Sequence, residues 1–154
     1  EQTTHIAIDH PVPMVARKGE SDCWKVCIQM LLGGDKAEVN AEGVKLSDNG
    51  ALTYTGADMS NIKKLADNNK LAYYAPHREL SLFEIRALIV RGPVMTILDY
   101  PGKESGHAVV VCGAEITGDR VHIADPEPPG KKYWISWPEL ARALPNVTVA
   151  LLQK

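Results

Sequence analysis

The sequence is short of cysteine, of long apolar runs and of net charge, and each shortage removes a class of protein. Three cysteines in 154 residues are an odd number and too few to staple a chain of this size. A hydrophobic core must therefore hold the fold, and the thiols need another explanation. No apolar stretch approaches the roughly 20 residues that cross a bilayer, so no membrane partner is expected. Seventeen basic against nineteen acidic residues leave a net charge of -2. That balance gives no broad positive field for phosphates, and nucleic acid is not an expected partner. Internal repeats, low-complexity segments and a basic lead into an apolar signal segment are all missing. With Glu at position 1, the chain reads as processed or excised from something longer.

What is present is ordinary globular material, 45% hydrophobic and 23% charged. That suffices for one core at the modal size of a domain, so residues 1–154 are expected to form a single domain. The stretch before Arg17 holds Pro11, Pro13 and the alternating His5-Ile6-Ala7-Ile8, an extended lead-in or edge strand. The first helix is predicted to start at Ser21 or Asp22, whose side-chain oxygens suit an N-cap, and to stop at Gly33-Gly34. Trp24, Cys27, Ile28 and Leu31 recur at helical spacing, and Met30 and Leu32 widen the apolar surface. Only Lys25 and Gln29 make a polar stripe, so most of this helix should be buried. Residues 35–56 are polar and weakly periodic and read as an irregular connection. A second helix over about 57–69 turns Met59, Ile62, Leu65 and Ala66 inward.

A third helix is announced by Ser81 and Glu84 as a capping box, with Leu80 and Ile85 as a hydrophobic staple, and Arg91-Gly92-Pro93 ends it. Strands follow at 94–98, 107–112, 120–124 across the Thr117-Gly118-Asp119 turn, and 146–152. Ser136 with Glu139 repeats the capping pattern and places a short helix over about 137–144. Helices first and a mostly antiparallel sheet after them make an α+β domain.

Three residues converge in this layout. Cys23 falls in the first turn of a helix, where unpaired N–H groups and the helix dipole favour a thiolate. His107 opens a core strand after Ser105-Gly106, and Asp125 closes the next strand just before Pro126. If those strands form a hairpin, strand-start His107 and strand-end Asp125 lie at the same end, where a carboxylate can orient an imidazole. The string Asp22-Cys23-Trp24-Lys25-Val26-Cys27-Ile28-Gln29-Met30, then Gly106-His107-Ala108-Val109-Val110, then Asp125-Pro126 resembles papain-like cysteine proteases over nearly the whole chain. It looks most like the compact effector proteases of plant-pathogenic bacteria and the bacteriocin leader-processing peptidases.

The resemblance implies a papain-like fold with Cys23 as nucleophile, His107 as base and Asp125 as the residue that orients it. It also implies a protein substrate and a role as a bacterial toxin or effector domain of a longer secreted or translocated protein. Such a domain acts in the cytosol of a target cell and has a cognate immunity or inhibitor protein as partner. No cofactor is expected. Relatives usually place a Gln several residues before the nucleophile as an oxyanion donor, whereas Arg17 stands six before Cys23 here. Arg17 is thus either a substitute donor or a sign of lost catalysis. Two further readings stay open: a deamidase, transamidase or leader peptidase with the same triad, and an inactive papain-like binding module.

Cys27 and Cys112 are read as structural. A zinc site from Cys23, Cys27 and histidines lacks a second ligand pair at metal spacing. His122 alternates with Val121 and Ile123 and is expected on the solvent face of its strand, and His5, His10 and His77 are read as non-catalytic. Trp134 and Trp137 are expected to flank a turn and pack on the core, and Pro126-Glu127-Pro128-Pro129-Gly130 to form a stiff loop closing the site.

Overall fold

An antiparallel sheet frames the computed structural model, which describes residues 6–19, 21–53, 59–76, 78–99, 107–145 and 150–154. In chain order the elements are β1 (Ala7–Asp9), α1 (Cys23–Leu32), α2 (Ser60–Asn68), β2 (Ala72–Tyr74), α3 (Leu82–Ile89) and β3 (Val94–Leu98). Then come β4 (His107–Glu115), β5 (Arg120–Asp125), β6 (Lys131–Ser136), α4 (Trp137–Ala143) and β7 (Leu151–Gln153). The strands lie in the order β2-β7-β3-β4-β5-β6, with β1 beside β4. Strand β3 pairs with residues 107–111 of β4 and β1 with residues 113–115, so the two share one edge of β4 end to end.

Strand β4 reads as a continuous apolar run because both of its faces are covered. On one face α1 and α2 bring Cys27, Ile28, Ile62 and Leu65 against Met95, Ile97, Ala108 and Val110. On the other, α3 and α4 bring Ile85, Ile89 and Leu140 against Val94, Val109, Val111 and Ile123. Neighbouring residues of one strand thus serve opposite cores, as the two-residue period of a strand dictates.

The α+β layout expected from the sequence is present. The capping box at Ser81 and Glu84 forms in full, Ser136 accepts the Glu139 N–H, and Gly33 closes α1 at φ 122°. Asp22 differs. It stands at the N-cap of α1 without capping, because its Oδ2 accepts the Gly19 N–H at 3.1 Å instead. Strands β2 and β6 are additions to the sequence reading. The first spans three residues, and the second opens with two lysines after a proline-rich run, so neither carries a clear apolar alternation. Trp134 accordingly lies within β6 and Trp137 begins α4, rather than flanking a turn.

The irregular connection has no helix over residues 35–53 and holds one isolated bridge, Leu46 to Leu52. Trp24 and Gln29 of α1 donate to Gly50 O and to Asp35 O and Ala37 O, and asparagines of α2 and its C-cap supply further hydrogen bonds. Asn69 pairs reciprocally with the Asn40 backbone, Asn68 donates to Glu42 O, and Asn61 accepts the Lys45 N–H. The expected helix start at Ala57, the start of the last strand at residues 146–149, Ser105-Gly106, His5 and His77 lie outside the described residues.

Cys27 has no exposed surface and packs in the α1 core. Cys27→Ser puts a hydroxyl in that apolar place and should cost about 1–3 kcal/mol in urea unfolding. The reactivity of Cys23 should be unchanged, which a thiol-labelling rate checks.

Candidate active site

Strand ends and a helix start meet at one point of this frame. Helix α1 puts Cys23, half-buried, in its first turn against the start of β4, and the Ala108 N–H points at Sγ from 3.5 Å. The β4–β5 hairpin pairs Val110 with Ala124 and so brings His107 and Asp125 to the same end. His107 Nε2 lies 2.7 Å from Asp125 Oδ1. With Nε2 committed to the carboxylate, Nδ1 is the nitrogen left to hydrogen-bond the Cys23 thiol.

The electrostatics follow from these contacts. Burial opposes ionisation of Cys23, yet its hydrogen bond with His107, the Ala108 N–H, the imidazolium charge and the Trp24 N–H bring the thiol below its ordinary range. Burial likewise opposes the charged form of His107, and the Asp125 hydrogen bond, the Cys23 contact and both negative charges override it, raising the ring to about 9. Asp125 is desolvated too, but His107, the Glu127 N–H and the Tyr133 hydroxyl hold it at about 2. At neutral pH His107 is therefore an imidazolium and Asp125 a carboxylate, and together they draw the Cys23 thiol toward the thiolate as one coupled set.

Both oxygens of Asp125 are engaged. Oδ1 accepts the Glu127 N–H at 3.0 Å beside the imidazole, and Oδ2 accepts the Tyr133 hydroxyl at 2.8 Å. Tyr133 is the residue that sequence reasoning missed. Its signal was Gly130 after the proline run, which ends the loop behind Asp125 and permits a strand to return along β5.

Arg17 lies beside this assembly. Its Nε and Nη2 bind the two oxygens of Glu127 at 3.1 and 2.7 Å, and Nη1 donates to Gly19 O at 3.0 Å. The Arg17 N–H also donates to Pro126 O at 2.8 Å, and a Cβ on Gly130 would stand 3.2 Å from the Ala16 Cβ. The 126–130 loop is thereby fastened to the segment that leads into α1, as a stiff loop closing the site would be.

The other candidates lie elsewhere. Cys27 faces the core, and burial holds its thiol well above the ordinary range. His10 hydrogen-bonds Ile89 O. His122 lies opposite Val121 and Ile123 as expected, but it is covered there by Asp9 and Trp134 and not turned to solvent. Trp137 packs on the second core. Among the described residues, the side chains close enough to share a metal ion are Asp9, Cys112 and His122, with neither Cys23 nor Cys27 in the group. No helix among the described residues is long and apolar enough to cross a membrane.

Known proteins show the same arrangement of elements. The family model described as "Papain-like cysteine protease AvrRpt2" matches residues 4–137. No curated protein matches the chain by sequence. Among solved structures, the peptidase domain of Streptococcus ComA, a bifunctional ABC transporter of a quorum-sensing pathway, superposes with a TM-score of 0.65 at 18% identity, covering 94% of this chain and 98% of its own. The Streptococcus mutans ComA peptidase domain gives 0.58 at 18% identity, over 92% of this chain and 98% of that one. A Bacillus anthracis chain described as a C39-like peptidase gives 0.57 at 14% identity, over 99% and 98%. At these identities the likeness is one of fold.

The charge states predict a pH profile. A lowered Cys23 and a His107 raised to about 9 leave the ion pair intact between them. Alkylation of Cys23 should therefore proceed faster than that of a free thiol at mildly acidic pH, and kcat/KM should fall on the alkaline side near pH 9 as the imidazolium loses its proton. A labelling profile that follows an ordinary thiol, near about 8.5, would contradict the pairing.

Proposed function

The chain belongs to the family of the papain-like cysteine protease AvrRpt2, and from that premise we propose that it is an endopeptidase acting on protein substrates through Cys23, His107 and Asp125. The observation that carries this reading is the contact of His107 with Asp125 on one side and the Cys23 thiol on the other. In the proposed reaction the Cys23 thiolate attacks the peptide carbonyl carbon, and the charge passes to the carbonyl oxygen. The backbone N–H of Cys23 donates to that oxyanion. His107 gives its Nδ1 proton to the amine as the C–N bond breaks, leaving a thioester on Cys23. Water then attacks the thioester while His107 takes its proton, and the thiolate leaves. Asp125 remains ionised and keeps the ring oriented.

We assign Arg17 as a positioning residue, because its guanidinium is bound to Glu127, whose own N–H holds Asp125. An oxyanion role for Arg17, as the resemblance suggests, competes with this clamp. The resemblance to translocated effectors also supports a single protease domain of a longer secreted or translocated bacterial protein, acting in a target-cell cytosol and neutralised by an immunity or inhibitor protein.

Mapping new protein N-termini in a lysate treated with the wild type or with Cys23→Ala tests the function. Cleavages confined to the wild type are expected. Their absence across several lysates, with ammonia released or amines incorporated instead, would mean deamidation or transamidation by the same thioester. Cys23→Ala and His107→Ala should each remove activity. Asp125→Ala should leave a residue of it, the loss staying within the roughly 10²–10⁴-fold that positioned proton transfer supplies.

Arg17→Ala and Glu127→Gln should both lower kcat, and less than additively when combined, since they share the Arg17–Glu127 pair. Thermal stability should hardly change, because a partly exposed ion pair contributes about 0–1 kcal/mol. A Glu127→Gln variant with raised kcat would identify Arg17 as an oxyanion donor.

A further inference from the structure

Beyond the far end of the His107 contact, four strands carry one continuous row of residues. Asp9 on β1 pairs with Gly113 on β4, Gly113 with His122 on β5, and His122 with Trp134 on β6. A Cβ on Gly113 would stand 2.5 Å from Asp9 Oδ1. The missing side chain lets the Asp9 carboxylate reach across the strand to His122 Nδ1, at 2.8 Å. Trp134 fixes the ring of His122 from behind, stacked with centroids 4.4 Å apart.

The β4–β5 register shifts between Val111 and Gly113, so Cys112 is the extra residue of a β-bulge. Bulges re-aim side chains, and this one sets the Cys112 Sγ beside the other two groups: the three ligand atoms lie within 4.8 Å of one another. Cys112 is buried, His122 half-buried and Asp9 exposed, which leaves the cluster open to solvent on the carboxylate side. The proposed protease reaction uses none of these groups. Cys112 stands five residues from His107 on the same strand, roughly 17 Å at about 3.4 Å per residue.

We infer that Asp9, Cys112 and His122 form a binding site for a zinc-class divalent transition metal, with Sγ, Nδ1 and one carboxylate oxygen as ligands and water in the fourth position. The sulfur selects against magnesium and calcium, which take oxygen ligands, and the mixed S, N, O set suits a borderline ion. Ligand bonds of about 2.0–2.3 Å place tetrahedral ligand atoms roughly 3.3–3.8 Å apart. The observed cluster reaches that spacing by small side-chain rotations. On binding, the Cys112 thiol releases its proton to solvent and the metal replaces the hydrogen between Asp9 and His122. The ion then ties the three-residue edge strand β1 to β4 and β5.

The test uses the whole chain carrying Cys23→Ala, which removes the nucleophile as a competing ligand. Titrated Co²⁺ should produce thiolate-to-cobalt charge-transfer absorption that saturates at one equivalent and is displaced by Zn²⁺, and Zn²⁺ should raise the melting temperature. Adding Cys112→Ser should remove the absorption. Asp9 is exposed, so Asp9→Asn keeps the fold testable and should weaken Co²⁺ binding by at least about tenfold. His122→Ala should weaken it as much. No thiolate absorption up to millimolar Co²⁺, or binding unchanged by Asp9→Asn and His122→Ala, would overturn the site.

Discussion

The hydrogen bond between His107 Nε2 and Asp125 Oδ1 is the constraint on which the rest of the site depends. Without it burial, which opposes charge on the half-buried imidazole and the half-buried thiol alike, would lose its largest counterweight on the ring. The carboxylate reverses the sign of that balance only because it is itself held ionised. Two donors fix it, the Glu127 N–H and the Tyr133 hydroxyl, and each belongs to a different segment of chain behind β5. Charge is thus stabilised in sequence, from strand β6 and the loop to Asp125, from Asp125 to His107, and from His107 to Cys23.

Strand β4 gives this relay its geometry. One end supplies His107 and the Ala108 N–H that faces Cys23, the middle is buried between two helical layers, and the other end carries the bulge at Cys112. Rigid packing on both faces explains how a thiol on a helix and a ring on a strand can be held in register. The Arg17 clamp adds a tie between the segment preceding α1 and the loop following β5, so nucleophile and orienting acid share one fastening.

Much of this was legible in the sequence, and the reasons are local. A serine three residues before a glutamate specifies a helix start by itself, and both such patterns form helix starts here. The turn at 117–119 fixes a hairpin, which is why His107 and Asp125 could be placed together before any coordinates. What stayed hidden depends on distant partners. Arg17 and Glu127 are 110 residues apart, and nothing around Arg17 signals a carboxylate. Tyr133 follows two lysines on an edge strand, so its apolar alternation is masked. Residues 35–53 are tied down by side chains of α2, its C-cap and α1, which leave no periodic trace in the segment itself. Asp22 has the composition of a cap, but its carboxylate turns back to Gly19.

The central claim is that a thiolate–imidazolium pair exists in the free protein at neutral pH, sustained by Asp125. Nitrogen-15 NMR of the His107 ring measures it directly. The account predicts that both ring nitrogens carry protons at pH 7 and that one is lost near pH 9, in line with a ring raised to about 9. A neutral ring in a single tautomer at pH 7, charging only as the pH falls through about 6.5, would contradict it.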